Sequence, residues 1–150
     1  MSDNMTPQCL CLLLCDQVIE DKRTNKKSLI GTFNDILTMQ TPVRYPLMSL
    51  FLSLTNCLGE HEVTIELYHD NDTGGERVLQ LTGKLEGKNP LDVIDMVFEL
   101  RGAPLPHLGS YTIEARVKPE NERIAQRRFY VRQAPQAPPF PHTPPESLGR

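Results

Sequence analysis

Four cysteines are the residues of this sequence best suited to chemistry, because thiolates bind soft metal ions and attack electrophiles. Cys9, Cys11 and Cys15 stand in one apolar run, and the fourth is Cys57. Alternate residues of a strand lie about 6.5–7 Å apart, whereas Zn–S bonds are ~2.3 Å long, so thiolates spread along a strand face cannot surround one ion. A bend or bulge could still bring Cys9, Cys11 and Cys57 together, and buried, unreactive thiols are the simpler interpretation.

A second candidate site lies in the loop Asp70–Glu76, where oxygen ligands alternate and two glycines allow a sharp turn. Asp70, Asp72 and Glu76 resemble the start of a calcium-binding loop. The segment lacks the full ligand spacing and the closing bidentate glutamate of such loops. The same residues suit the tip of a β-hairpin, which needs no ion. We therefore expect neither a metal ion nor another cofactor.

Candidate catalytic groups are scattered. The four histidines, at positions 61, 69, 107 and 142, fall in turns, strand ends and the tail, and no Gly-x-Ser-x-Gly, His-Glu-x-x-His or phosphate-binding glycine loop occurs. Asp16 directly follows the apolar run, and a carboxylate beside a covered strand must be paired or hydrogen-bonded. An arginine or backbone amides would give Asp16 a structural role. The sequence predicts no catalytic residue and no small-molecule ligand.

Charge and composition exclude several classes of protein. Sixteen Lys and Arg against nineteen Asp and Glu give a net charge of -3, which leaves no basic surface for nucleic acid. The run Cys9–Cys15 is too short to span a bilayer, and the N-terminus lacks the basic start and cleavage site of a secretory signal. Free thiols fit a reducing compartment. We therefore expect a cytoplasmic protein that binds neither nucleic acid nor membrane.

Alternation of polar and apolar side chains dominates the chain, and a period of two is typical of β-strands. About eight such segments follow one another at roughly ten-residue spacing, with turn residues between them. The side chains that we predict to face inward are Met48, Leu50, Leu52 and Leu54; Val63, Ile65 and Leu67; Leu79, Leu81 and Leu85; Ile94, Met96, Phe98 and Leu100; Tyr111, Ile113, Ala115 and Val117; and Phe129 and Val131. Glu62, Thr64 and Glu66 should face water. The pattern indicates an all-β sandwich or barrel. Of the two we predict the sandwich, an immunoglobulin-like antiparallel β-sandwich of about seven to eight strands.

The most apolar stretch predicts a hairpin. The run Cys9–Cys15 is apolar without interruption, so we expect a strand covered on both faces, with its cysteines on one face. The polar residues 21–27 turn the chain, and a single return strand is predicted over residues 28–37. Gly31 lies within that strand and indicates a bulge or the close approach of another backbone.

Tyr111 has a predicted structural role. It begins a late strand after the corner formed by residues 104–109, and in immunoglobulin-like sandwiches such a tyrosine holds the preceding corner through its hydroxyl group. Two positions later stands Ile113 rather than a cysteine, and the chain has no Trp, so this is not an antibody-type domain. Ile124 is out of phase with Phe129 and Val131, which requires a bulge between them.

Two segments, LLCDQVIEDKRTNKKSLIGTFNDI and LGSYTIEARVKPENERIAQRRFYV, carry a resemblance to a known family. The first combines Cys15-Asp16, an acidic residue, a polar hairpin and a Ser-x-Ile-Gly-x-Phe return strand. The second follows a Pro-x-Gly-x-Tyr type of corner, which here has His107-Leu108 after Pro106. Over roughly residues 9–132 the chain resembles a family of small bacterial β-sandwich domains of unknown function. The resemblance implies a small sandwich without a known activity, and it carries over no catalytic residues.

The C-terminal residues differ in composition. Six of the thirteen prolines lie in the last seventeen residues. We therefore predict a flexible N-terminus over residues 1–8, a β-sandwich domain over residues 9–133 and a disordered Pro-rich tail over residues 134–150. The tail's PQAP, PFP and PHTP resemble polyproline ligands, and an unstructured linker is the other interpretation.

Abundant sheet without a reactive constellation favours a non-enzymatic protein that acts as a protein-binding or assembly module. It would bind a protein partner or self-associate, for instance along an exposed strand edge. The alternative is a metal- or thiol-dependent enzyme that uses Cys9, Cys11, Cys15 or Cys57. Elemental analysis distinguishes the metal enzyme, because that enzyme requires a stoichiometric ion.

Overall fold

The computed structural model describes residues 5–135 and contains only β-structure there. These residues form nine strands: β1 (Gln8–Glu20), β2 (Lys27–Thr32), β3 (Asp35–Thr38), β4 (Val43–Thr55), β5 (Gly59–His69), β6 (Glu76–Gly87), β7 (Ile94–Leu105), β8 (Gly109–Val117) and β9 (Glu122–Gln133). The all-β prediction is confirmed. No helix occurs in the described range, hence none that is long and apolar enough to cross a bilayer. The predictions for residues 1–4 and 136–150 lie outside the described residues.

Two sheets form the fold. Sheet A has the strand order β2-β1-β4-β7, and sheet B has the order β3-β9-β8-β5-β6. Neighbouring strands are antiparallel except β3 and β9, which run parallel over four residue pairs. This short pair departs from the predicted antiparallel sandwich, while the division into two sheets agrees with it.

The hydrophobic core lies between the sheets. Side chains at alternate positions of both sheets fill it, as the period of two predicts. The largest fully buried side chains are Leu14, Met48, Leu50, Leu52, Leu54, Ile65, Leu67, Leu100, Leu105, Tyr111, Ile113 and Phe129. The predicted inward faces of β4, β5 and β8 are therefore confirmed.

The prediction of one return strand over residues 28–37 is wrong. Phe33 and Asn34 separate β2 from β3 and carry the chain from sheet A to sheet B. The Phe33 N–H donates to the Leu14 carbonyl of sheet A at 3.2 Å, and the Tyr130 N–H of sheet B donates to the Asn34 carbonyl at 2.9 Å. Because consecutive residues bond to different sheets, the segment yields two short strands, which gives a ninth strand.

A bulge in β1 changes the predicted face of Cys9. The register between β1 and β4 shifts between Cys9 and Cys11, so Leu10 is an extra residue in β1. Cys9 packs against the core, whereas Cys11 is paired with Ser53 and lies on the outer face of sheet A. Leu10 is 56% exposed. The prediction that β1 is covered on both faces is therefore wrong within residues 5–135, where a second layer packs on its inner face alone.

A second bulge agrees with the sequence, since the register between β8 and β9 shifts beside Ile124. The two sheets also approach closely at Gly83 of β6. A Cβ atom at Gly83 would lie 2.9 Å from the ring of Phe98 and 3.0 Å from the terminal methyl group of Met96. A larger residue at this position would therefore push β6 away from β7.

Arg127 of β9 links the two sheets. Its Nη1 donates to the Leu12 carbonyl of β1 at 3.2 Å, and its Nη2 donates to Asn34 Oδ1 at 2.7 Å. β1 pairs with β2 only from Cys15 onward, so the Leu12 carbonyl lies on a side of β1 that has no neighbouring strand among the described residues. The guanidinium group therefore supplies the donor that a further strand would otherwise provide.

Candidate functional site

The outer face of sheet A is apolar at its centre. Leu13, Phe51 and Val97 stand side by side on β1, β4 and β7, because Leu13 pairs with Phe51 and Phe51 pairs with Val97. None of the three belongs to the core between the sheets. The outer face of an antiparallel sandwich is ordinarily polar. We call this surface the apolar face; its members are Leu10, Cys11, Leu13, Cys15, Gln17, Ile19, Ser28, Ile30, Thr32, Leu47, Ser49, Phe51, Ser53, Asp95, Val97, Glu99 and Arg101.

Several large side chains of the apolar face are open to solvent. The exposed fractions are 39% for Val97, 43% for Ile19 and 45% for Ile30. Phe51 and Leu13 are half-buried by their neighbours, and Ser49 and Ser53 beside them are buried. No element formed by residues 5–135 covers this surface. Exposed apolar side chains beside an apolar row on the outside of a sandwich are typical of an interaction site.

On the apolar face β7 carries two acidic residues and Arg101, whereas β1 is uncharged at the positions in line with them. Asp95 and Glu99 flank Val97 on the same side of β7. The Ser53 hydroxyl donates to Asp95 Oδ1 at 2.8 Å, and the Arg101 guanidinium donates to Glu99 Oε2 at 2.8 Å. On β1 the corresponding positions carry two cysteines and a leucine. A partner surface that lies over β7 therefore meets charged groups, and one that lies over β1 meets uncharged side chains.

The outer face of sheet B is polar, and its central charges are paired within the protein. Glu66 is only 7% exposed, because Tyr68, Arg77 and Arg116 surround it. The guanidinium group of Arg116 lies 3.6 Å from Glu66 and 2.7 Å from Glu114. The prediction that Thr64 and Glu66 face water is wrong: Thr64 is 2% exposed, and long side chains on neighbouring strands lie over Glu66. The two outer faces thus differ sharply in polarity.

The four cysteines lie on two different sides of sheet A. Cys9 and Cys57 pack with the core, and Cys11 and Cys15 lie on the apolar face. All four are free thiols. Within residues 5–135 no three His, Cys, Asp or Glu side chains are placed to hold a metal ion. This geometry gives no support to an enzyme built on a cysteine cluster.

Burial also makes three of these thiols poor nucleophiles. Desolvation raises the pKa of Cys9, Cys15 and Cys57 above the ordinary value for a thiol. Because the thiolate is the reactive form, a raised pKa lowers the reactivity of these cysteines at neutral pH. The Cys15 thiol instead donates to the carbonyl groups of Gln17 and Ser49, at 3.5 and 3.7 Å.

The residues of the candidate calcium loop are used in other ways. The Asp70 carboxylate accepts hydrogen bonds from the hydroxyls of Ser110 and Thr112, at 2.7 and 2.8 Å. Asp72 is exposed in the turn, and Glu76 is exposed at the start of β6. The Asp70 carboxylate therefore points toward β8, and the loop forms the tip of the β5–β6 hairpin.

Asp16 and Gly31 lie against each other on β1 and β2. Gly31 has a positive φ of 70°, and a Cβ atom built on it would lie 3.0 Å from Cγ of Asp16. The close approach at Gly31 is thus made by a side chain rather than by another backbone. Asp16 is exposed, so water solvates its carboxylate, and the argument that it must have a protein partner does not apply.

Tyr111 links the corner before β8 to the core. Its hydroxyl donates to the His107 carbonyl at 2.6 Å and accepts from the His107 N–H at 3.1 Å. The ring is fully buried and stacks on Phe129, with the ring centroids 5.3 Å apart. Burial raises the pKa of the Tyr111 hydroxyl. The immunoglobulin-like classification stays a prediction.

Sequence reasoning missed the apolar face, although a signal was present. Leu13 and Phe51 stand at positions of their strands where alternation requires polar residues. In β1 we interpreted the continuous apolar run as cover on both faces. The described part of the chain covers β1 on one face only, so the run instead indicates a surface on which residues 5–135 place no second layer.

Comparison with known proteins identifies a family and no activity. The sequence matches a family of unknown function (DUF6941) over residues 10–132. No curated protein matches the chain. One solved structure that it is similar to is a beta-glucosidase from Kluyveromyces marxianus, with 13% identity and a TM-score of 0.41. That match covers 73% of this chain and 16% of the beta-glucosidase chain, and a likeness this weak carries no functional argument.

Proposed function

Because this chain belongs to the family of unknown function (DUF6941), its function has to be argued from its own structure, and we propose that it is a non-enzymatic protein-binding module. The family resemblance that its two long segments predicted is thereby confirmed, while a bacterial origin stays a prediction. In this proposal the apolar face docks on another protein.

The row Leu13–Phe51–Val97 is the observation that carries the proposal. It places three large apolar side chains next to each other on the outside of a sandwich, with no layer above them among residues 5–135. Removing a large apolar side chain from water stabilises a complex by about 1.5–3 kcal/mol when burial is complete. A partner that covers the row would therefore gain a central apolar contact, which is where binding energy is concentrated in protein interfaces.

The shape and charge of the apolar face define the partner. A sheet surface is broad and nearly flat, so it fits another broad surface, such as a second sheet, better than a single narrow helix. Asp95 and Glu99 lie at one margin, so the partner must present no acidic group opposite them. The partner is therefore a folded protein with a flat apolar surface that is uncharged or basic where it meets β7.

The thiols bear on where such a complex forms. Four free cysteines, two of them on the apolar face, are compatible with a reducing compartment. In an oxidising compartment, the half-buried Cys11 thiol on a docking surface would form mixed disulfides. We therefore place the module in the cytoplasm as part of the proposal.

Site-specific photo-crosslinking tests the proposal. A benzophenone amino acid at position 51 should yield a discrete protein adduct in native extract, because this position faces the partner. The same probe at Gln80, exposed on the outer face of sheet B, serves as the matched control. Excess unlabelled wild type should abolish the adduct, and the variant Leu13→Glu/Val97→Glu should not.

The adduct is then identified by mass spectrometry of the crosslinked peptides. The proposal is contradicted if both positions give the same adducts, or if no adduct at position 51 is competed by the wild-type protein.

A further inference from the structure

We propose that the first half of β9 binds an extended segment of another protein, which pairs with β9 as an added strand and places a carboxylate on Arg127. This site lies at the side of sheet B and does not depend on the docking of the apolar face. It defines a second kind of partner, an acidic strand-forming segment, beside the folded surface that the apolar face is proposed to bind.

β9 has a neighbouring strand on both sides only in its second half. It pairs with β8 from Glu122 to Val131, whereas β3 pairs with it only from Tyr130 to Gln133. Residues 122–129 therefore have no strand on the β3 side within residues 5–135, and we call this stretch the open edge. It is about eight residues long, or ~26 Å at ~3.3 Å per residue. An added strand there would continue the line of β3.

The open edge presents backbone groups that an added strand can bond. On the β3 side of β9 the Tyr130 N–H donates to the Asn34 carbonyl at 2.9 Å. Because alternate residues of a strand direct their backbone groups to the same side, Gln126 and Arg128 also direct theirs away from β8. The bulge beside Ile124 lies earlier in the strand and leaves this alternation intact. The open edge therefore offers two N–H and two carbonyl groups at the spacing by which sheet edges take up extended peptides.

Arg127 indicates the charge of the segment. Its guanidinium bonds to two uncharged acceptors, the Leu12 carbonyl at 3.2 Å and Asn34 Oδ1 at 2.7 Å. The other three arginines of β9 each pair with a carboxylate. Within residues 5–135 the Nε atom of Arg127 is buried and has no hydrogen-bond partner. A half-buried cation with an unused donor is best satisfied by a carboxylate.

Asn34 shows that a side chain on the line of β3 reaches this guanidinium group. Asn34 directly precedes β3, so it stands where the open edge begins. Nε and Nη2 project from the same side of a guanidinium group, and together they bind a carboxylate through two parallel hydrogen bonds. Here Nη2 holds Asn34 Oδ1, whereas Nε has no acceptor among the described residues. An Asp or Glu of the docked segment would therefore replace one amide contact by an ion pair with two hydrogen bonds.

β1 also lacks a neighbour on this side of the molecule, but its edge is partly occupied. β1 pairs with β2 only from Cys15 onward, and the Leu12 carbonyl in the remaining part already accepts from Arg127. A strand added beside β1 would break that hydrogen bond, whereas a strand added beside β9 leaves it in place. The geometry therefore selects β9 as the strand that receives the segment.

Selection from a phage library of random peptides about nine residues long, with the full chain as bait, tests the occupant. Enriched peptides should share an Asp or Glu at one position, with β-branched or aromatic residues at alternate positions around it. A synthetic peptide of the enriched sequence should bind at least about tenfold more tightly than its Asn or Gln counterpart, which lacks the charge. If no peptides are enriched, or if the enriched peptides share no acidic position, the proposal is overturned.

Substitutions in β9 locate the bound peptide, with binding measured by fluorescence anisotropy and folding checked by circular dichroism. Arg127→Met should weaken binding at least about tenfold, whereas Arg123→Met on the same strand should leave binding within about twofold of the wild type. Gln126→Pro removes an N–H of the open edge and should weaken binding, while Gln126→Ala keeps that N–H and is its matched control. Wild-type affinity in Arg127→Met, or equal affinities in the two Gln126 variants, overturns the proposal.

Hydrogen exchange separates this site from the apolar face. The peptide should slow amide exchange at Gln126 and Arg128, and Val97→Glu on the apolar face should bind it as tightly as the wild type. Loss of binding in Val97→Glu with unchanged exchange at the open edge would place the peptide on the apolar face and contradict the proposal. Concentration-dependent protection of the two amides without peptide would identify a second copy of the chain as the occupant and contradict it as well.

Discussion

Removal of the Tyr111 hydroxyl by Tyr111→Phe tests how the corner before β8 is held. The substitution keeps the ring, so the stacking on Phe129, with centroids 5.3 Å apart, is retained. What is lost is one hydrogen bond to the His107 carbonyl, at 2.6 Å, and one from the His107 N–H, at 3.1 Å. Both backbone groups belong to His107, so the substitution acts on the corner before β8 alone.

The magnitude follows from those two bonds. An intramolecular hydrogen bond contributes about 0.5–1.5 kcal/mol net, and a partly buried group left without a partner adds to the loss. We therefore expect Tyr111→Phe to lower the free energy of unfolding by about 2 kcal/mol. For a domain of this size, such a loss lowers Tm by about 8 °C.

Urea denaturation at neutral pH and thermal unfolding measure the effect, with Tyr130→Phe as the matched control. Tyr130 is half-buried on β9, where it lies beneath the Arg132 guanidinium at 4.7 Å, and the loss of its hydroxyl should change stability little. If the two variants unfold at the same urea concentration, the corner is not held by the Tyr111 hydroxyl, and the structural role assigned to this residue is wrong.

Three further predictions concern the backbone, the contact between the sheets and pH. Gly31→Ala should lower the free energy of unfolding by about 1–2 kcal/mol because the φ angle of Gly31 is positive. The new methyl group should lower it further because it meets the Asp16 side chain. In a double-mutant cycle with Asp16→Ala, only this further loss should disappear. Arg127→Met should lower the free energy of unfolding by about 2 kcal/mol, since it removes the hydrogen bonds to Leu12 and Asn34. The control Arg123→Met removes an exposed 3.4 Å contact with Glu114 and should lower the free energy of unfolding by less than about 1 kcal/mol. Equal losses would contradict the role of Arg127 between the sheets. The contribution of Cys9, Cys15 and Cys57 to stability should be constant below the ordinary thiol pKa of 9.0 and should fall as pH rises through and above it. Burial raises the folded-state pKa of these thiols, so the unfolded chain loses their protons first. Urea midpoints measured across this range should fall less steeply for Cys15→Ala than for the wild type, and an unchanged wild-type midpoint would contradict the assignment of buried neutral thiols.

Alternation along single strands could be predicted from the sequence because it is a local property. In β5, Val63, Ile65 and Leu67 face inward as their spacing requires, and the bulge beside Ile124 follows from a break in the same pattern. The number of such segments and the turn residues between them indicated an all-β sandwich or barrel, and the structure has two sheets. Each of these conclusions depends on neighbours in the chain and on the fixed period of a strand.

The candidate site depended on contacts between distant residues. Whether Leu13 and Phe51 are covered is decided by what lies above sheet A, and alternation within a strand contains no information about a second layer. For the same reason Glu66, which alternation assigns to water, is buried beneath side chains from neighbouring strands.

The sequence by itself determined that this chain forms strands and which side chains those strands turn inward, because a side-chain period of two is set by local backbone geometry. Only the tertiary structure decided that Phe33 and Asn34 cross between the sheets, that a bulge separates Cys9 from Cys11, and that no element within residues 5–135 covers the outer face of sheet A. These features arise from pairing between residues far apart in the chain, and such pairing is settled only when all strands compete for neighbours in the folded molecule.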